Sequence, residues 1–156
     1  MYRIALTNRI FLALLGTWLL TSCDRQAKPV KQTQTFENTL AVHLNAIKTG
    51  NLTDLIPTIS ENVAMISPDG NKMDSKEVFV KFHENWFSQK DWQWEGDIVR
   101  TESSDSLGYA LIKYRFIKKD SVGNIQFHDN VYLVLIFKNS AQGWQLVYDQ
   151  NTRIKP

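Results

Sequence analysis

The sequence carries one cysteine, Cys23, so no internal disulfide can staple the fold and its stability must come from packing. It has no glycine-rich phosphate loop, no Gly-x-Ser-x-Gly turn and no His-Glu-x-x-His helix, which removes the signatures of phosphate cradles, serine hydrolases and zinc proteases. The histidines, His43, His83 and His128, stand 40 and 45 residues apart with no cysteine pair to complete a metal shell. No metal and no cofactor are expected. No basic stretch exceeds Lys118-Lys119, so nucleic acid finds no electrostatic footprint. The apolar run Ile10 to Leu20 is 11 residues long. A membrane-crossing helix needs about 20.

That short run is informative in its context. Arg3 and Arg9 precede it and Leu20-Thr21-Ser22-Cys23 follows it, the layout of a signal peptide over residues 1–22. The ending resembles the lipobox of bacterial lipoproteins, in which the residue after cleavage is a cysteine that receives lipid. The resemblance implies lipidation at Cys23 and a place in the bacterial cell envelope, anchored to a membrane. Asp24 resembles the enterobacterial signal for retention in the inner membrane, facing the periplasm; other bacterial groups sort differently, and the outer membrane stays open.

Cleavage before Cys23 leaves 134 residues, enough for one domain. A chain of this size buries roughly two-thirds of its unfolded surface. Arg3 and Arg9 are the only charged residues in the leader, and removing them turns 18 basic against 16 acidic residues into an even balance. Residues 23–35 are polar around Pro29 and read as a lipidated cysteine with a flexible tether. Extended, its 12 residues after Cys23 reach about 40 Å.

From Phe36 the pattern is helical, with Phe36, Leu40, His43, Leu44 and Ile47 on one face and Gly50 at the end as a left-handed cap. A shorter helix is expected over Leu52 to Ser60, and a strand over Val63 to Ile66 closed by the turn Ser67-Pro68-Asp69-Gly70. Asp74-Ser75-Lys76-Glu77 has capping-box spacing, with Asp74 as the cap of a helix whose apolar face holds Val78, Phe79, Phe82, His83, Trp86 and Phe87. After Asp91 the period falls to two: Trp92, Trp94 and Ile98 alternate with Gln93, Glu95 and Asp97 in a half-buried strand. Strands are expected over Gly108–Ile117, Ile125–Lys138 and Trp144–Thr152, joined by turns at Asp120–Asn124 and Asn139–Gly143. Helices first and an antiparallel meander after them make an α+β fold.

The order of these elements resembles the nuclear transport factor 2-like superfamily, a cone of N-terminal helices packed on a curved, mainly antiparallel sheet, which includes SnoaL-like cyclases and ketosteroid isomerases. The resemblance spans residues 36–156 and rests on Thr49-Gly50-Asn51-Leu52, on Ile66-Ser67-Pro68-Asp69-Gly70 and on Gly143-Trp144-Gln145-Leu146-Val147-Tyr148-Asp149-Gln150. The isomerase machinery does not carry over. Aligned on Gly50, the isomerase's oxyanion-hole tyrosine falls on His43, its general-base aspartate on Ser67, and its protonated aspartate near Leu135. A serine without an adjacent base cannot perform that proton transfer.

The candidate pocket residues are therefore His43, Ser67, Trp86, His128, Tyr132 and Asp149. His43 is a pocket donor or base, or else a core histidine satisfied by a neighbour. His83, inside an aromatic face, reads as packing. His128 and Asp129 are strand neighbours on opposite faces, so only one can enter a given cavity. Asp149, on the face of Val147 and Asn151, either lines the cone or bonds Arg153 or a turn. Trp86, Trp92, Trp94, Tyr132 and Trp144 exceed what a small core needs, and apolar walls with few polar groups describe a small-molecule pocket. The leading expectation is a lipid-anchored module that binds a small, largely apolar ligand without chemistry. A SnoaL-like enzyme using His43 or Asp149 for proton transfer is one alternative, and a homodimer formed through the open sheet face is another.

Overall fold

The computed structural model of the protein describes residues 34–155. The expectations for the leader, for Cys23 and for the tether up to residue 33 lie outside the described residues. Among the described residues no helix is long and apolar enough to cross a membrane.

Helix α1 covers Phe36–Thr49 and α2 covers Leu52–Leu55; helix α3 covers Lys76–Ser88. The strands are β1 (Ile59–Ile66), β2 (Lys72–Asp74), β3 (Trp92–Ser103), β4 (Leu107–Lys119), β5 (Ile125–Ser140) and β6 (Gly143–Arg153). They form a single sheet in the order β2-β1-β6-β5-β4-β3. The last four make the expected meander, and β1 joins it by a parallel pairing with β6. The sheet is thus mixed.

Thr35 belongs to the domain rather than to a tether: its hydroxyl caps α1 by accepting from the Asn38 amide at 3.2 Å. The apolar stripe then buries Phe36, Leu40, His43, Ala46 and Ile47. Gly50 ends the helix at φ 64°, and its amide together with that of Asn51 takes the last free carbonyls. A side chain there would also press on the Trp92 ring.

Three local expectations are corrected. The segment after Asn51 holds a helix for one turn only; Pro57 sits in a tighter turn, Ile56–Thr58, and β1 starts at Ile59 instead of Val63. Asp74 does not cap α3, because it pairs with Ala64 as the last residue of β2. The cap is Ser75, whose hydroxyl accepts from the Val78 amide at 3.3 Å while its own amide is held by the Val63 carbonyl. In β3, Trp94 is buried but Ile98 is 52% exposed, so the inward alternation lapses midway along the strand.

The core lies between the helices and the inner face of the sheet. Leu55, Ile59, Phe79, Ile112, Leu135, Phe137 and Leu146 are fully buried there. Each such side chain contributes about 2 kcal/mol by leaving water.

Candidate functional site

A single-residue irregularity in β6 decides what the inner face offers chemically. Phe137 pairs with Leu146 but Ile136 pairs with Tyr148, so Val147 is an extra residue, a β-bulge. Strict alternation would set Asp149 on the side opposite Leu146. The bulge resets the phase, and Asp149 and Asn151 face inward with Trp144 and Leu146, all four buried.

They enter a cavity of about 460 Å3 between α1, α3 and the sheet. Phe82 and Trp86 from α3, Trp94 from β3, Tyr114 and Phe116 from β4 and Phe127 from β5 give it aromatic walls, with Leu44, Ile47, Met65, Val131 and Leu133 filling between them. Gly96 shapes one wall. Its missing side chain leaves the space that the Trp94 ring occupies, and the ring stacks on Tyr114 at 5.4 Å between centroids.

The buried polar groups form a directed chain. The Tyr114 hydroxyl donates to Asn151 Oδ1 at 2.9 Å, and Asn151 Nδ2 donates to Asp149 Oδ1 at 2.6 Å and to the Ile66 carbonyl at 3.0 Å. Burial disfavours the Asp149 carboxylate and lifts its pKa to about 7, against the opposing pull of the Asn151 hydrogen bond. Burial, with the nearby Asp149 charge second, drives Tyr114 well above the ordinary phenol range, so it stays a neutral donor.

The two helix histidines also line the cavity. Thr58 Oγ1 gives its hydrogen to the Leu55 carbonyl at 2.7 Å, so at 2.8 Å it can only accept from His43 Nδ1–H. His83 Nδ1–H donates to the Phe79 carbonyl at 2.8 Å. Burial lowers His43 to about 3, with repulsion from His83 adding to it, and lowers His83 to about 4 despite its backbone bond. Both rings are neutral near pH 7 and carry their lone pair on Nε2.

The rim is different in kind. Arg153 reaches Asp129 Oδ2 at 2.6 Å and Asp69 Oδ1 at 2.9 Å, tying the ends of β5 and β6 to the turn after β1. Lys118 pairs with Asp91 and Gln89 beside it. Among the described residues no cluster of metal-ligating side chains occurs.

Of the residues singled out from sequence, His43, Trp86 and Asp149 share the cavity wall. Ser67 does not belong to that wall; its hydroxyl accepts from the Asn71 amide at 3.2 Å and closes the turn after β1. His128 and Tyr132 lie outside it, exposed on the outer face of β5, while their neighbours Asp129, Val131 and Leu133 line it. His128 and Asp129 do split between faces, and Asp129 is the one that reaches the cavity. Asp149 takes neither of its expected partners: Arg153 is committed to the rim and Asn151 holds the carboxylate. His83, read as packing, packs on Phe79 at 4.2 Å and lines the cavity as well.

Tyr114 and Asn151 were missed as site residues. Tyr114 shares the parity of Ile112 and Phe116 in β4, a signal that was available; Asn151 follows Asp149 by two, visible once the bulge is known. Leu135, where the isomerase resemblance looks for a carboxyl, sits directly across from Asp149 on the neighbouring strand.

No protein-family model matches the chain, and no curated protein matches it. Solved structures do. A ketosteroid isomerase-like protein from Erwinia carotovora atroseptica aligns over 81% of this chain and 99% of its own at 14% identity, with a TM-score of 0.64. A protein with a cystatin-like fold from Caulobacter vibrioides aligns over 80% and 90% at 13% identity and 0.67. A protein of the nuclear transport factor 2-like family from Streptomyces avermitilis aligns over 77% and 94% at 8% identity and 0.64. Likeness at such low identity speaks to architecture alone. The described domain has the nuclear transport factor 2-like α+β cone fold.

Proposed function

We propose that this chain is a membrane-tethered protein whose cone holds a small, largely apolar molecule. The observation that carries the reading is the cavity itself: about 460 Å3 with aromatic and aliphatic walls and a few converging polar groups. That is the size and character of a small-molecule site. The tether is proposed from Cys23 and the leader before it. Lipid on Cys23 would place the domain in the bacterial cell envelope, at the inner membrane facing the periplasm if Asp24 acts as a retention signal. The test is mass spectrometry of the protein taken from membranes under conditions that keep ligands bound. A co-purifying apolar molecule supports the reading. An empty protein whose Trp86 and Trp94 fluorescence ignores added apolar dyes overturns it. Separately, Cys23→Ala is expected to leave the membrane fraction.

A second reading has its own observation. Asp149, with a pKa near 7 inside the cavity, has the profile of a proton-transfer group. His43 makes no hydrogen bond to it; the bond of His43 runs from Nδ1 to Thr58. If Asp149 moves protons, a substrate turns over with a rate that titrates near pH 7, and Asp149→Asn abolishes it. Self-association is the third. Tyr132, Leu107 and Ile125 are exposed apolar residues on the sheet, and light scattering of the purified chain decides between monomer and dimer.

A further inference from the structure

The polar groups of the cavity are unevenly divided between donors and acceptors. Every donor of the buried chain is used internally: the Tyr114 hydroxyl on Asn151, and both hydrogens of Asn151 Nδ2 on Asp149 and Ile66. At the rim, Arg153 is spent on Asp129 and Asp69, and Lys118 on Asp91 and Gln89. Two indoles of the wall have no partner among the described residues: Trp86 Nε1–H, which is sealed from solvent, and Trp94 Nε1–H. The acceptors are left over. His43 and His83 each spend their only hydrogen through Nδ1, leaving Nε2 as a lone pair with no bond among the described residues. Asp149, 6% exposed, accepts once at Oδ1, and Oδ2 has no donor among the described residues.

A ligand that satisfies this cavity must bring the hydrogens. It must also suit aromatic walls, namely Phe82, Trp86, Trp94, Tyr114, Phe116 and Phe127. Aromatic faces attract cations, and most strongly where water is excluded. The charges agree. The residues around Asp149 are Asn151 and Tyr114, its cross-strand neighbours Leu135 and Met65, and the neutral rings of His43 and His83 on the same cavity; no cation among them pairs with it. The charged groups beyond are Asp129, Asp69, Arg153 and Lys118, already paired at the rim.

We propose that the ligand is an organic amine, an apolar body whose protonated nitrogen docks on Asp149 Oδ2 among the aromatic walls. This deepens the small-molecule reading and rests on it. A protonated amine supplies the missing hydrogens and neutralises the one buried carboxylate among the described residues. A ligand with a carbonyl end would instead need Asp149 to be protonated and donating, and would leave both imidazole nitrogens unsatisfied. A carboxylate ligand would meet three acceptors.

Isothermal titration of the full chain in detergent with a matched set of 2-naphthylethyl compounds, ending in ammonium, hydroxyl, ketone or carboxylate, tests this. The ammonium is expected to bind roughly tenfold to a hundredfold tighter than the alcohol at pH 8, the worth of a hydrogen bond to a buried charge. Its affinity is expected to rise between pH 6 and pH 8 as Asp149 ionises around pH 7, whereas a ketone relying on protonated Asp149 would gain affinity in the other direction. Asp149→Asn is expected to erase the preference for the amine and spare the alcohol. The pH series on the unaltered chain carries the same information if that variant misfolds. An alcohol or ketone that binds as well as the amine overturns the amine assignment and leaves the apolar pocket standing. A set in which nothing binds overturns both.

Discussion

The floor and the rim of the cavity are both built from carboxylates, yet they treat charge in opposite ways. At the rim, Asp129 and Asp69 lie on either side of Arg153, a cation bonded to both, with 46% of its side chain exposed. On the floor, Asp149 is buried without a cation and is held by an amide and, through it, a phenol. The first pair has a counter-ion within reach. Burial with neutral donors makes the second a group that titrates near neutrality. The residue type is shared, and its surroundings set what it does.

The strongest way to break this contrast is to follow stability against pH for the chain and for Asp149→Asn. Asp149 has a folded pKa raised from 3.8 to about 7, so the folded state binds the extra proton between those values. Its contribution is therefore present in full below about pH 3.8 and is lost as pH rises to about 7. His43 and His83 act oppositely: with folded values lowered from 6.5 to about 3 and about 4, they favour the fold above pH 6.5 and cost stability as pH falls. Subtracting the variant's profile removes the histidines and leaves Asp149 alone. The expected gain of the variant over the parent from pH 4 to pH 8 is roughly 4 kcal/mol. A flat difference would mean that the floor carboxylate is solvated like those at the rim.

Next in size is Asn151→Leu, which removes the link between Tyr114 and Asp149 and strands both, along with the Ile66 carbonyl. A loss of about 3 kcal/mol in urea denaturation is expected. A loss below about 1 kcal/mol would show that water replaces the asparagine readily, and the floor would then be wet. Gly96→Val sharpens the comparison from the wall: the new side chain takes the space of the Trp94 ring. Overpacking of this kind costs about 2 kcal/mol, and tryptophan emission should shift to the red as the ring is expelled. Smallest of all is Asp69→Asn at the rim. Its carboxylate is 67% exposed, so the denaturation midpoint should stay in place while ligand entry becomes less sensitive to salt. A large loss of stability there would put rim and floor in one class after all.

The architecture was legible because its cues are local. The α1 stripe ended at Gly50 as the periodicity required, and the Asp120–Asn124 turn is closed by Asp120 Oδ1 accepting from the Val122 and Asn124 amides at 3.0 and 2.8 Å. What stayed hidden depends on pairing. Ile59 joins β1 because Leu146 of β6 lies beside it, a contact with 86 residues of chain between them and no local signature. Asp74 looked like a helix cap because the spacing to Glu77 allowed it, but the demand of β1 for a partner claimed it first. The site was half legible for the same reason. His43 and Trp86 sit on helices, where spacing alone gives the face, and both reach the cavity. On strands the parity must be anchored, and without an anchor the sequence points to His128 and Tyr132 where Asp129 and Tyr114 do the lining.

The extra residue at Val147 means that the chemistry of the interior is set by phase as much as by residue identity. Pairing the same residues without the bulge would leave every side chain of the strand unchanged in kind and present Tyr148 and Gln150 to the inside, with Asp149 and Asn151 turned to the solvent. A carboxylate floor would become a phenol and an amide. Such a protein could therefore exchange one ligand class for another through a one-residue change of pairing register in β6, with no residue substituted.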